Sequence, residues 1–182
     1  MAELNFLDNR LEMRVTDSGH YSANGRDEAE FYLAVNPGEP LKSLGNIASG
    51  GELSRIMLAI KTVLADEEDT PTLIFDEIDV GISGRTAQKV SEKMALIGNV
   101  HQVICITHLA QIAAMADHHY RIEKRTENGD TRTAISLLDE KESQEELARI
   151  LGGAEITDTV KKSAAEMRSL AREKKKSLRG TE

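Results

Sequence analysis

The sequence has no apolar run long enough to cross a membrane, and it contains a single cysteine. Its polar, acidic start does not predict a secretory signal peptide. Cys105 lies in the apolar run 103–106 and is predicted to be a small core residue. One cysteine forms no internal disulfide, which agrees with a reducing, cytoplasmic environment.

Positive charge is in the minority, with 23 Lys and Arg against 31 Asp and Glu and a formal net charge of −8. This balance argues against general coating of nucleic acid by the chain. The charge is uneven, because residues 161–179 carry eight basic and two acidic side chains, a net of +6, which leaves −14 for the remainder. Such a segment either contacts phosphates or forms a solvated helix end whose lysines suit the helix dipole.

With 182 residues, 40% of them hydrophobic, the chain has room for one compact domain and its core. We interpret it as a single partial domain that begins abruptly at a strand-like segment, which predicts an excerpt from a longer protein. Its predicted parts are a β-rich segment, a central core, a β hairpin and C-terminal helices, at 1–40, 41–118, 119–140 and 141–182.

Two glycines, Gly50 and Gly51, precede a stretch with apolar residues at helical spacing from Leu53 to Leu64. Ser49 is predicted to cap this helix. The helix start then offers backbone N–H groups, a positive dipole end and a hydroxyl, a combination that favours a phosphate. By itself, the pattern fits an ordinary glycine turn before a capped helix better.

The apolar run 72–75 is typical of a strand buried on both faces, and it ends in Asp76 and Glu77. The carboxyl ends of strands are where open α/β sheets place their ligand sites. Asp76 suits a magnesium ion, and Glu77 suits orienting or deprotonating a water molecule. The alternative is a pair of solvated loop acids.

A glycine-containing loop, a predicted helix and a second apolar strand at 103–106 follow the acidic pair. Strand–helix–strand at this spacing predicts parallel pairing. His108 would then leave the sheet at the same edge as Asp76 and Glu77, which favours a functional role over a structural one.

The remaining segments predict a hairpin and two helices. Residues 120–124 and 133–137 alternate around an Asn-Gly pair, which is typical of a hairpin. Ser143 and Glu146 predict a capping box for the next helix, and Thr157 is predicted to open the last one.

The order of these features resembles the C-terminal half of an ABC-type ATPase head. More narrowly, the segments ASGGELSRIMLA (48–59), TLIFDEIDVGISGRT (72–86) and ITHLAQIAAMAD (106–117) resemble the RecN family of bacterial DNA repair proteins, which are SMC-like. The resemblance spans nearly the whole chain. It implies an α/β fold, the C-terminal half of an ABC/SMC-type P-loop NTPase head. Parallel strands would be flanked by helices, with β hairpins at the N-terminal end and after the His-bearing helix.

The resemblance also implies roles in binding ATP. Ser49, Gly50, Gly51 and Glu52 would form the signature motif, which contacts the ATP held by a partner head. Ser83 would lie in the D-loop, where ABC proteins often have Asp, so its role is less firmly implied.

For catalysis, the resemblance implies that Asp76 is the Walker B aspartate near Mg²⁺, that Glu77 polarises the attacking water and that His108 senses the γ-phosphate. The implied function is ATP-dependent pairing of heads and ATP hydrolysis in DNA double-strand break repair and recombination. The implied cofactors are ATP and Mg²⁺, and the implied location is cytoplasmic and nucleoid-associated.

One expected part, a P-loop with Lys followed by Ser or Thr, is missing. Gly45 and Gly50 have the right spacing, but Gly51 and Glu52 stand where those residues are required, and an anionic Glu52 would repel phosphate. In the family, the P-loop and Q-loop lie in an N-terminal half beyond a long coiled coil. The implied partners are therefore that half, a second head in a homodimer, and DNA through the complete protein, with no membrane.

Two other classes of function stay open. The chain could be a non-catalytic assembly or binding module, or the head half of another SMC/ABC-type ATPase, including a transporter subunit. A metal site is a further alternative that fits no standard zinc spacing, and its residues would be His108, Asp117, His118 and His119.

We expect the purified 182-residue chain to hydrolyse no ATP, because it has no P-loop to hold the nucleotide phosphates. Phosphate release with ATP and Mg²⁺ would be compared with that of the Glu77→Gln variant. Turnover above that of the variant would contradict the expectation.

Overall fold

The computed structural model describes residues 4, 6, 10–34, 36–46, 49–65, 67, 69–127, 130–153 and 155–180. These residues form three small sheets and five α-helices, with a 3-10 turn at Leu44–Asn46. The strands are β1 (Arg10–Ser22), β2 (Gly25–Ala34), β3 (Lys42–Ser43), β4 (Thr72–Phe75), β5 (Gln102–Cys105), β6 (Tyr120–Glu127) and β7 (Asp130–Leu137). The helices are α1 (Gly50–Val63), α2 (Gly84–Ile97), α3 (Ala110–Ala113), α4 (Glu140–Gly152) and α5 (Asp158–Arg179).

The predicted N-terminal hairpin is confirmed. β1 pairs antiparallel with β2, with Met13 opposite Phe31, and β3 adds a short third strand. The turn closes between Ser22 and Gly25, where Gly25 has a φ of 104° that favours glycine. One face of the hairpin carries exposed apolar side chains, those of Leu11, Met13, Val15 and Phe31.

The predicted strand–helix–strand unit is also confirmed. β4 and β5 pair in parallel, with Phe75 opposite Cys105, and α2 connects them. One face of α2 carries apolar side chains at helical spacing, and all four are buried: Ala87, Val90, Met94 and Ile97. Together with Ile56 and Leu58 of α1, they form the core under this sheet.

The prediction that β4 is buried on both faces is wrong for this chain. Leu73 and Phe75 are buried in the core, but Ile74 on the opposite face is 67% exposed. Ile104 and Ile106, on the same face, are also exposed. The reason is that β4 and β5 form a two-stranded sheet that the helices cover on one side.

A second core joins α3, α4 and α5 around Leu147, which is fully buried. The predicted hairpin of β6 and β7 is confirmed, and its Asn128-Gly129 turn lies outside the described residues. Thr157 opens α5 as predicted, because its hydroxyl accepts a hydrogen bond from the Val160 N–H.

The predicted start of α4 is wrong. The capping box is formed by Asp139 and Glu142, one turn before Ser143 and Glu146. The first turn of α4 is polar, and Ser143 and Glu146 repeat the capping-box spacing one turn after the true start. Ser143 is instead buried within the helix.

The basic segment 161–179 lies on α5, and half of its cationic side chains contact the rest of the domain. Arg168 donates to the carbonyls of Ala114 and Ala116, Lys175 and Arg179 pair with Asp117, and Arg172 pairs with Glu140. These contacts hold α5 against the domain, so the segment is more than a solvated basic tail. No helix among the described residues is long and apolar enough to cross a membrane.

The second core gives a stability prediction. Leu147→Ala removes a fully buried side chain and is expected to lower the free energy of unfolding by about 2 to 5 kcal/mol. Leu170→Ala is the matched control, because Leu170 is 57% exposed and its loss should cost less than about 0.5 kcal/mol. Urea denaturation of both variants measures the difference, and equal losses would contradict the assignment of the core.

Candidate functional site

Helix α1 begins as the sequence predicts. Ser49 is its N-cap, and the Ser49 hydroxyl oxygen accepts a hydrogen bond from the Glu52 N–H at 3.4 Å. Glu52 lies in the first turn, where a carboxylate suits the positive end of the helix dipole. Ile47 and Ala48, which precede the cap, lie outside the described residues.

The first two turns of α1 hold the loop that follows β4, which we call the 76–83 loop. The Ser54 hydroxyl donates to the Asp76 carbonyl at 2.9 Å. The buried Arg55 guanidinium donates to the carbonyls of Ile78 and Val80, at 3.1 and 2.8 Å. Burial lowers the pKa of Arg55, and the nearby Glu52 carboxylate opposes that shift.

Gly51 is needed because α1 approaches the backbone of the 76–83 loop very closely, whereas the neighbour of Gly50 is a flexible side chain. A Cβ at Gly51 would lie 2.9 Å from the Glu77 carbonyl oxygen and 3.0 Å from that of Val80, both backbone atoms. A Cβ at Gly50 would lie 2.5 Å from a carboxylate oxygen of Glu77. The Glu77 carboxylate therefore lies against the start of α1, where the helix dipole favours an anion.

Glu77 also has an unusual backbone. Its φ is 56°, and it is the one non-glycine residue with positive φ among the described residues. Such a conformation costs about 1 to 3 kcal/mol and persists where the surrounding contacts fix it. Here the contacts of Ser54 and Arg55 with the neighbouring carbonyls fix the loop.

The parallel pairing of β4 and β5 places the predicted site residues at one edge of the sheet. The Ile106 N–H donates to the Phe75 carbonyl at 3.0 Å, directly before the acidic pair. Asp76, Glu77 and His108 therefore leave the sheet at the same edge, and all three are exposed. Two carboxylates, an imidazole and a helix start thus share one region, and their roles stay predictions.

Asp79 is a site residue that the sequence analysis missed. It is 3% exposed, and its Oδ2 accepts hydrogen bonds from the Thr107 hydroxyl at 2.5 Å and the His108 N–H at 2.9 Å. The same oxygen lies 3.1 Å from His108 Nδ1. The sequence shows only that Asp79 is the third acid in the four residues 76–79. This spacing does not indicate that its side chain is buried.

Ser83 and Cys105 flank this region. Ser83 is at the N-cap position of α2, and its exposed side chain makes no capping hydrogen bond. Burial raises the pKa of the Cys105 thiol to about 12, with the Asp79 and Asp76 carboxylates adding to the shift. Cys105 is therefore a protonated packing residue at neutral pH.

The alternative metal site finds no support in the arrangement of its residues. Asp117 is paired with Lys175 and Arg179, and the buried His119 lies 2.8 Å from the Ser143 hydroxyl through its Nδ1. Burial lowers the pKa of His119. Within the part of the chain that the structure describes, no group of three or more His, Cys, Asp or Glu could hold a metal ion.

No protein-family model matches the chain, but close relatives do. It is 48% identical over 151 residues to DNA repair protein RecN of Halalkalibacterium halodurans, a match that covers 83% of this chain and 27% of the relative. The chain is RecN-like. RecN of Bacillus subtilis is 48% identical over 143 residues, or 79% of this chain and 25% of the relative. RecN of Vibrio cholerae is 46% identical over 151 residues, which are 83% of this chain and 27% of the relative.

This RecN-like chain spans about a quarter of the length of the curated relatives that it matches. In fold it is similar to SMC heads. A structure described as concerning ATP-driven dimerization and DNA-stimulated activation of SMC ATPases matches with a TM-score of 0.50 and 19% identity, over 82% of this chain and 85% of that one. A Smc head domain with a coiled coil and joint from Pyrococcus yayanosii matches with a TM-score of 0.54 and 21% identity. That match covers 80% of this chain and 26% of the Smc chain. The predicted fold class is confirmed.

The close approach of α1 to the 76–83 loop gives a second prediction. Gly51→Ala places a methyl group against fixed backbone and should lower the free energy of unfolding by about 1 to 3 kcal/mol. Gly45→Ala is the control, because its Cβ would make an ordinary 3.6 Å contact with the Ser43 hydroxyl and change stability by less than about 0.5 kcal/mol. Thermal unfolding compares them, and a neutral Gly51→Ala would contradict the packing described.

Proposed function

We propose that this chain is the part of a RecN-like ATPase head that supplies the signature motif, the Walker B acids and the switch histidine, and that it acts in DNA double-strand break repair and recombination. The RecN relatives support the family, and the SMC head structures support the fold. The observation that carries the proposal is the shared sheet edge, from which Asp76, Glu77 and His108 leave and where the Glu77 carboxylate lies against the start of α1.

The exposed side chains at this edge fit phosphoryl transfer, which depends on positioning and charge stabilisation more than on covalent catalysis. Asp76 offers a carboxylate, a ligand type that Mg²⁺ prefers, and one of its oxygens is oriented by the Glu77 N–H at 2.9 Å. Glu77 would orient the attacking water, and His108 would contact the γ-phosphate. Bound Mg²⁺ would supply charge neutralisation at the phosphates.

The start of α1 would meet the ATP of a second head. Of the residues Ser49, Gly50, Gly51 and Glu52, Gly50 is exposed, Ser49 and Glu52 are half-buried, and Gly51 is buried against the 76–83 loop. Because the Glu77 carboxylate lies against Gly50, a phosphate approaching this helix start requires that carboxylate to turn away. Ser83, exposed at the other end of the loop, would face the same partner as part of the D-loop.

The missing P-loop would come from the N-terminal half of the same head. Two exposed apolar faces in this chain support such a partner. One is formed by Ile74, Ile104 and Ile106 on the parallel sheet, and the other lies on the hairpin of β1 and β2. Alone, the chain would be a non-catalytic assembly module, and in the complete protein it would act in the cytoplasm at the nucleoid, with DNA as a partner.

The role of Glu77 is tested in a chimera in which this chain replaces the matching segment of the Bacillus subtilis relative. Glu77→Gln keeps the shape of the side chain and removes its charge, so ATP turnover should fall at least about 100-fold. Pairing of heads in the presence of ATP, measured by light scattering, should persist. Glu67→Gln, which changes an exposed acid on another loop, is the matched control.

Unchanged turnover in Glu77→Gln would remove the proposed role of that residue. The chimera could fold and bind DNA, yet neither hydrolyse ATP nor show ATP-dependent pairing of its heads. That result would overturn the assignment of this chain to an ATPase head.

A further inference from the structure

The buried carboxylate of Asp79 has no place in the roles described so far, although it contacts one of the proposed site residues directly. Two donors hydrogen-bond to its Oδ2, and they are the Thr107 hydroxyl and the His108 N–H. Nδ1 of the His108 imidazole lies 3.1 Å from the same oxygen. We propose that Asp79 is a positioning residue that fixes the orientation and the tautomer of His108, an inference that rests on the proposed function.

The first step of the argument concerns the proton on the imidazole. His108 Nδ1 lies 3.1 Å from Asp79 Oδ2, and a carboxylate oxygen attracts a protonated nitrogen at this distance and repels a nitrogen lone pair. The contact therefore favours the tautomer of the neutral ring that carries its proton on Nδ1. Nε2, at the other side of the ring, is then free to face a ligand. The His108 side chain is 72% exposed, whereas the Asp79 side chain is 3% exposed, so the imidazole contacts a buried carboxylate at Nδ1 while most of its surface faces solvent.

The second step concerns the rigidity of Asp79 itself. The carbonyls directly before and after it, those of Ile78 and Val80, both accept from the buried Arg55 guanidinium. The backbone that carries Asp79 is therefore held from both sides, which limits rotation of its carboxylate. This is the arrangement by which an outer-shell carboxylate orients a functional histidine.

The third step concerns Thr107. Its hydroxyl oxygen accepts from the Leu109 N–H at 3.0 Å while the hydroxyl donates to Asp79. Each polar group in this chain of contacts thus has one allowed direction. Removing the Thr107 hydroxyl would weaken the turn after β5 without changing the acceptor that faces the imidazole, which makes Thr107→Val a matched control for Asp79→Asn.

The tautomer is measured first, on the 182-residue chain labelled with ¹⁵N-histidine. His108→Gln identifies the His108 signals. We expect the neutral His108 ring to carry its proton on Nδ1, the Asp79→Asn variant to lose a large part of that population, and Thr107→Val to keep it. A wild-type ring protonated on Nε2 would overturn the proposal even if Asp79→Asn fails to fold, and so would an unchanged tautomer in a folded Asp79→Asn.

Activity is measured second, in the chimera described above. Asp79→Asn should lower kcat for ATP hydrolysis at least about tenfold and change KM less than about threefold, because the residue acts on His108 rather than on nucleotide binding. In a His108→Gln background, Asp79→Asn should have no further effect on kcat. Independent, multiplying losses would overturn the positioning role.

The two measurements separate failure of this inference from failure of the proposed function. If the chimera hydrolyses ATP but His108 is protonated on Nε2, the inference about Asp79 is overturned and the proposed ATPase function is retained. A chimera with the expected tautomer but no ATP hydrolysis would sink the proposed function, while the pairing of Asp79 with His108 would remain established.

Discussion

A buried arginine ties the two halves of the candidate site together. Arg55 belongs to the second turn of α1, yet its guanidinium hydrogen-bonds carbonyls of the 76–83 loop more than 20 residues later. A buried cation is expensive unless its donors are paired. Nη1 makes both of these hydrogen bonds and so ties the helix to the loop, while the buried Nε has no hydrogen-bond partner among the described residues. The approach of Gly51 to the backbone of the same loop reinforces this constraint, because any side chain there would separate the two segments.

The helices of this chain cover only one face of the parallel sheet. β4 and β5 are covered on one face by α1 and α2, and on the other face isoleucines remain exposed. A parallel sheet is ordinarily covered on both faces. The unbroken apolar run of β4 fits such a doubly covered strand, but the described residues of this chain cover only one of its faces. On the helical side, α1 and α2 share one core and α3, α4 and α5 share a second one.

Much of this architecture could be predicted from local patterns. The parallel unit followed from two apolar runs and a periodic helix, and the N-caps Ser49 and Thr157 from residue type and position. The start of α4 could not be placed correctly, because its polar first turn carries no periodicity and Ser143 has the same capping chemistry as Asp139. Burial of Asp79 could not be predicted either, since its contacts come from Thr107 and His108, about 30 positions away, and only the parallel pairing brings them together.

Under the proposed function, the left-handed backbone at Glu77 sets folding stability against catalysis at this position. Glycine, or to a lesser degree asparagine, would adopt the same φ with less strain, so either substitution would ease folding of the loop while removing the carboxylate. A glutamate there costs folding free energy, and the proposed role is what would offset that cost. A strained turn that carries an acid after a buried strand is thus a feature that can be looked for, position by position, in other proteins.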